Sequence, residues 1–393
     1  MSWFTLLGFG LVAIGCRGSN SPVPTSAQTN AYVLRLGNDT LAIDQATRVG
    51  DRIEGTLVTH LPRTLVTRYV VTLNPTTGMA QLLEHNTRLA DGSLLPATNQ
   101  PSLRNVTVTF GTDSAISQVQ RDTLITTRAA ARNAFPYINY AIAFFQLPVS
   151  ALRAANVDSV AYAIYTGGRQ AFPMHVVRRG SNRYAVVIQG YPYDIVTDGK
   201  GVVQSVDGAR TTQHFVATRQ NSVDVAGLSA MWAQRERDAR PATALSARDT
   251  TRATVGPAEL WVDYGRPTTR GRKVFGPAGV LNDTIWRTGA NAATHFRTNV
   301  PLTIAGQNVP AGTYTLWTLA VPGRYQLIIN KQTGQWGTVY DPKQDLVRVP
   351  LQASQLPQVV DRFTIAVDPT GGNSGVVRLR WDTTELSVPF SVP

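Results

Sequence analysis

A chain of 393 residues is too long for one ordinary domain and short for three, so two domains are expected. Apolar residues make up 43% and charged residues only 16%, and Thr, Val, Ala and Gly are plentiful; this composition fills two cores and favours strands over long surface helices. The formal charge of +12 comes almost wholly from arginines scattered singly, such as Arg35, Arg48, Arg52, Arg63 and Arg68, which argues against a nucleic-acid reader and for a basic solvated surface.

The chain opens on an apolar run, Met1 to Gly15, about long enough for a secretory signal and too short to span a bilayer. It ends at Cys16, the only cysteine, so no intrachain disulfide can form. The residues Ala13, Ile14, Gly15 and Cys16 resemble the bacterial lipobox, in which the cysteine is lipid-modified and becomes the mature amino terminus. No Lys or Arg precedes the run, a departure from the usual signal pattern. The polar stretch 17–30, rich in Ser, Pro, Thr and Asn, reads as a flexible tether. These features predict an exported protein in the periplasm or on the outer surface, held to a membrane through Cys16.

Residues 31–238 read as a β-rich domain. Segments such as AYVLRL, DTLAID, TLVTRYVVTL and NVTVTF are short, β-branched and partly alternating, with turns at Gly37-Asn38-Asp39, Asn74-Pro75 and Asp91-Gly92. The alternation breaks between Ala129 and Ala155, where Tyr137, Tyr140, Ala141 and Phe144 have helical spacing, Pro136 is placed to begin one short helix and Pro148 a second. A long antiparallel meander interrupted this way predicts a curved sheet with one or two short helices on its concave face. The pattern weakly resembles the half-barrels of periplasmic lipoprotein carriers. On that reading Phe135, Tyr137, Tyr140, Phe144 and Phe145 either line an apolar cavity or fill the core. Ala226 to Arg237 has Leu228, Met231 and Trp232 on one face and predicts an amphipathic helix. The stretch 239–247 is poor in large apolar residues, carries Pro241, and is read as the linker.

Residues 248–393 predict an antiparallel β-sandwich of jelly-roll type. ELWVDYG, HFRTNVPLTIAG, TYTLWTLA, RYQLIIN, RFTIAVD, VVRLRWD and ELSVPF alternate, with Val309-Pro310-Ala311-Gly312 as a hairpin between the second and third. The inward set is Leu260, Val262, Leu302, Ile304, Leu327, Ile329, Phe363, Ile365, Val367, Leu379 and Trp381. Three groups carry candidate ligand chemistry: Trp286, Arg287, Asn291 and Thr294; Lys331, Trp336, Tyr340 and Asp341; and Tyr264, Arg266 and Arg272. A guanidinium offers forked donors and an indole a stacking platform, so convergence of these loops makes a grip for a carboxylate, a phosphate or a sugar hydroxyl. The plainer alternative pairs Arg287 with Asp341 or Asp345 and leaves the tryptophans at the core edge.

Seven blocks in one order, from RATVGPAELWVDYGRPTTRGRKVFG (Arg252 to Gly276) through WRTGANAAT, VPAGTYTLWT, NKQTGQWGTVYD, LVRVP and DRFTI to VRLRWDTTELSVP (Val377 to Pro389), resemble the bacterial domain-of-unknown-function family 2911. The family commonly carries Glu after GAN, where this chain has Ala292. The resemblance implies no activity.

Signals for catalysis are poor. His60, His85, His175, His214 and His295 are isolated, with no paired metal-ligand spacing, and nucleophile-elbow, Walker and dinucleotide fingerprints are missing; no metal or cofactor is expected. His295 and Asp341 are the weak acid/base candidates. The expectation is a non-enzymatic envelope lipoprotein that binds a small molecule, lipid or glycan and no nucleic acid. The alternatives are a hydrolase of an envelope or carbohydrate substrate, or a purely structural module.

Overall fold

A computed structural model describes residues 26–60, 63–95, 105–120, 123–238, 246–276, 279–281, 283–321 and 323–393. Cys16, its preceding run and most of the predicted tether lie outside the described residues. Gln28 already belongs to the first strand, so the last residues assigned to the tether are sheet.

The first half is built from β1 (Gln28–Leu36), β2 (Asp39–Val49), β3 (Arg52–Thr59), β4 (Leu65–Leu73), β5 (Ala80–Leu89), β6 (Val106–Phe110), β7 (Ser114–Gln120), β8 (Leu124–Ala130), β9 (Ala134–Pro136), β10 (Ser159–Tyr165), β11 (Phe172–Gly180), β12 (Arg183–Ile188), β13 (Tyr191–Thr197), β14 (Val203–Asp207) and β15 (Val216–Gln220), with helices α1 (Ala143–Ala155) and α2 (Val225–Asp238). All the strands join one 15-stranded sheet running from β8 down to β1, then β15 down to β9. Neighbours are antiparallel except the terminal β9–β10 pair, which is parallel. β1 and β15, far apart in sequence, meet at the middle of the sheet.

The expected curvature follows from the contacts of α1. Phe144 packs on Tyr69 of β4 with ring centroids 5.2 Å apart, and Phe145 packs on Tyr193 of β13 at 5.0 Å. Those strands stand six places apart in the sheet order. In a flat sheet that separation is roughly 28 Å, far wider than a helix about 10 Å across, so the sheet curls around α1. Phe135, Tyr137, Phe144 and Phe145 are all buried in the shared core, and Tyr140 packs against it. The aromatic stripe is packing rather than the lining of an apolar cavity.

Two helical starts read from the prolines are not where the helices lie. Pro136 ends strand β9, and Pro148 lies inside α1, buried. Packing on both flanks holds the helix across the hydrogen bond that Pro148 cannot donate. α1 also lacks a side-chain cap of its own and any acid in its first turn. Asp44 of β2 supplies both: its Oδ2 accepts from the Ile142 and Ala143 N–H groups at 2.6 and 3.3 Å, and its Oδ1 accepts from the Tyr69 hydroxyl at 2.8 Å. On the opposite face of β2, Ile43 packs with Val58 against Trp232 of α2, whose indole stacks on His60 at 4.8 Å.

The second half comprises β16 (Ser246–Val255), β17 (Ala258–Pro267), β18 (Thr284–Trp286), β19 (Thr294–Thr298), β20 (Leu302–Ile304), β21 (Gln307–Val309), β22 (Gly312–Val321), β23 (Arg324–Asn330), β24 (Asp345–Pro350), β25 (Gln352–Gly371) and β26 (Ser374–Ser391). They form a seven-stranded sheet, β16-β17-β19-β22-β23-β24 with β18 also on β22, and a four-stranded sheet, β21-β20-β26-β25. All eleven residues expected to point inward are buried in the single core that the two sheets share. The linker expected over 239–247 falls outside the described residues up to 245, and Ser246 opens β16. Val309-Pro310-Ala311-Gly312 is not a hairpin. The hairpin turn is Ala305-Gly306, between β20 and β21, and VPAG carries the chain from the smaller sheet back to the larger.

Candidate functional site

The WRTGANAAT segment leaves β18 as a loop bonded largely to itself. The Trp286 indole N–H donates to the Gly289 carbonyl at 2.9 Å, its ring stacks on Trp381 at 5.6 Å, and its edge meets Phe363 at 4.8 Å. Thr294 Oγ1 donates to the Thr288 carbonyl, and the Thr288 and Thr318 hydroxyls share a hydrogen bond, both at 2.8 Å. Asn291 adopts a left-handed backbone, φ +65°, which an asparagine tolerates better than most residues. Its carbonyl accepts from Gly337 N–H at 3.0 Å and from Arg287 Nη1 at 3.2 Å, and Ala292 forms an isolated antiparallel bridge with Trp336. A Cβ on Gly337 would stand 2.2 Å from Arg287 Cδ, so glycine there is what lets the two loops touch. The loop presents Arg287 on a fixed support.

Arg287 faces a cleft whose other wall comes from the first half of the chain. Two adjoining cavities, about 360 and 480 Å³, share Thr212, His214, Trp286 and Arg287. The first is lined on one side by Asn139, Tyr140, Gln213 and His214, and on the other by Arg270, Arg272, Arg287, Asn291 and Trp336. Among the described residues no Asp or Glu lines it, and the second has Asp283 alone. Arg270 is neutralised by Asp39 from the β1–β2 turn. Among the described residues no carboxylate pairs with Arg272 or Arg287. Arg272 donates Nε and Nη2 to the Thr269 and Thr268 carbonyls at 2.9 and 3.2 Å, while its Nη1 is buried with no partner. Burial, reinforced by Arg270, pulls the Arg272 guanidinium down to about 10, and burial lowers that of Arg287 as well. His214 is pushed down to about 4 by burial and, more weakly, by Arg272 and Arg287. It is therefore neutral at pH 7, Nδ1 donating to the Ala209 carbonyl at 2.8 Å and Nε2 left as an acceptor. Trp336, 56% exposed, offers an open indole face at the rim.

Residues 246–390 match the family DUF2911, described as a protein of unknown function. No curated protein matches the chain. Two solved structures are similar in part. One is a DUF1089 family protein from Pseudomonas aeruginosa, at 10% identity and TM-score 0.33, covering 42% of this chain and 89% of that one. The other is a beta-barrel-like protein of domain of unknown function DUF1849 from Brucella abortus, at 9% identity and TM-score 0.31, covering 49% and 94%.

Within the DUF2911 region the three predicted groups do not all meet. Trp286, Arg287, Asn291 and Trp336 share the cleft, and Arg272 joins them. Tyr264 is buried in the core, its hydroxyl accepting from the Ile365 N–H at 3.0 Å. Arg266 ties β17 to β25 through the Phe363 carbonyl and Thr364 Oγ1 and pairs with Asp249. Thr294 is fully enclosed within the loop, and Lys331 lies outside the lining. Asp341 caps the turn at Pro342–Gln344 by accepting from Lys343 N–H at 3.0 Å. Tyr340 packs on Trp317 and donates to Asp345, which also holds Arg348. Neither Asp341 nor Asp345 reaches Arg287, so the expected loop-fixing ion pair is replaced by the bond to the Asn291 carbonyl. His295 sits on β19 with Nε2 accepting from Gly334 N–H at 3.0 Å and Arg248 beside Nδ1, and neither it nor Asp341 lines the cleft. The hydrolase alternative drew its acid and base from those two residues. His214, Gln213 and Asn139 carried no signal in sequence, since nothing local ties them to a loop more than fifty residues away.

Proposed function

We propose that this chain is a non-enzymatic binding protein that takes a small anionic molecule into the cleft between its two halves. The observation that carries this reading is a pair of arginines, Arg272 and Arg287, walled into a cleft with no carboxylate partner among the described residues. Holding two such charges out of water is costly, and a bound carboxylate or phosphate removes the cost by filling the missing hydrogen bonds. The amides of Asn139, Gln213 and Asn291 and the open Trp336 face suit a ligand with a flat or hydroxylated body, as acidic sugars have. Export and attachment through Cys16 belong to the same proposal, supported by the apolar run that ends at the only cysteine.

Native mass spectrometry of the protein purified from its own envelope tests it. A co-purifying acidic species is expected, lost on Arg287→Ala and retained on Arg266→Ala, with affinity falling on the order of a hundredfold for removal of a charge-assisted donor pair. Equal retention by both variants would sink the proposal.

A further inference from the structure

A separate cavity, about 340 Å³, opens beside α1 at the end of the curled sheet where β1 begins. Its cations come from three separate elements: Arg48 from β2, Arg153 from the last turn of α1, and Lys200 from the turn between β13 and β14. Among the described residues no Asp or Glu lines it. Arg153 is held in place, donating to the Tyr184 hydroxyl at 3.0 Å and the Gly199 carbonyl at 3.4 Å. It passes so close to Gly201, φ +87°, that a Cβ there would stand 2.5 Å from its Nε. Two neutral groups of the lining have unused hydrogen-bonding capacity. Asn30 Oδ1 is buried without a donor, and Ser150 Oγ accepts from Gln146 Nε2 at 2.9 Å, which leaves the serine proton free to donate.

From this arrangement we infer a second binding site, independent of the cleft, for a small hydroxylated phosphate ester. Three cations approaching from different directions suit a tetrahedral phosphate better than a planar carboxylate, which one forked guanidinium satisfies. A ligand hydroxyl supplies the donor that Asn30 lacks and accepts from Ser150. The volume admits a group about the size of a glycerol or sugar phosphate. Such a group comes either from a soluble ester or from a phospholipid headgroup. Gln28 lines the cavity, so a lipid on Cys16 would keep this mouth within roughly 40 Å of a membrane at full chain extension.

Calorimetric titration of the full chain carrying Cys16→Ala, which removes the lipid-attachment point, with sn-glycerol 3-phosphate, and flotation of the same chain with phosphatidylglycerol or phosphatidylcholine vesicles, test the site. Arg48→Gln and Lys200→Gln are each expected to weaken binding about tenfold, as removal of one phosphate contact does. Arg324→Gln, an exposed charge in the other half, should leave it unchanged, and repeating the titration in an Arg287→Ala background removes any contribution of the cleft. If the two cavity variants lose the soluble ester alone, the source is a free ester; if they also lose phosphatidylglycerol vesicles, it is a headgroup. No ester binding at about 10 mM together with unaltered flotation overturns the inference, as does an equal loss with Arg324→Gln. Matching melting curves for Arg48→Gln and the parent chain establish that the variant is folded.

Discussion

Asp44 is fully enclosed between Tyr69 and the start of α1, and no cation stands among the groups that set its acidity. Burial raises its carboxyl from 3.8 to about 6, against the lowering effect of its hydrogen bonds to Tyr69, Ala143 and Ile142. A folded-state value above the unfolded one favours the protonated form, so the contribution of Asp44 is complete below about 3.8 and is lost as pH rises through about 6. Buried His85 and His214, both lowered from 6.5 to about 4, act in the opposite sense. Their contribution is complete above 6.5 and is lost as pH falls through about 4. Each shift amounts to roughly 3 kcal/mol. The parent chain should therefore gain stability between pH 4 and 6.5, with Asp44 blunting the gain. In Asp44→Asn the urea midpoint should climb more steeply over that window, the difference from the parent growing by up to ~3 kcal/mol. Parallel midpoint profiles for the two proteins would show that folding leaves the Asp44 carboxyl at its ordinary acidity.

Elements in this fold succeed or fail by what lies across them. Tyr69 reaches Asp44 two strands away only because Gly55, its register partner on β3, has no side chain: a Cβ there would fall 2.0 Å from Tyr69 Cζ. Gly55→Val should push the ring off, leaving Asp44 and the α1 terminus short of a partner. A loss of about 2–5 kcal/mol is expected from overpacking and the broken buried hydrogen bond, read from chemical denaturation. A loss below about 0.5 kcal/mol, the range of a surface substitution, would mean that the ring has another resting place. The same dependence on neighbours explains what could be read from the sequence. The eleven core residues of the second half follow from two-residue alternation, a property of the strand itself. VPAG looked like a hairpin because turn residues say that a chain reverses, not which sheet it enters next. Pro148 looked like a helix start because the packing that holds α1 across it comes from the surrounding sheet. Trp286, Arg287, Asn291 and Trp336 stood out as polar and aromatic residues in loops, whereas Asp44 and Gly55 carried no local mark.

At the scale of the whole molecule, the cleft exists because the halves are fastened beside it. The turn Gly37-Asn38-Asp39 docks on the loop after β17: Asn38 N–H donates to the Arg270 carbonyl at 3.0 Å, and Asp39 pairs with the Arg270 guanidinium. Gly37, φ +61°, lies so near that a Cβ would stand 2.1 Å from the Arg270 oxygen. A valine at this position meets both a left-handed backbone and a backbone atom that cannot swing aside. Gly37→Val should therefore loosen the seam while leaving both cores intact, and hydrogen exchange at the Asn38 amide reports that loosening directly. If the anion is gripped from both walls, by Arg272 and Arg287 on one side and the side-chain amides of Asn139 and Gln213 on the other, its affinity should fall with Asn38 protection, by about tenfold or more. Lost protection with unchanged affinity would assign the ligand to the DUF2911 region alone, and the first half would then be a cover over the site rather than part of it.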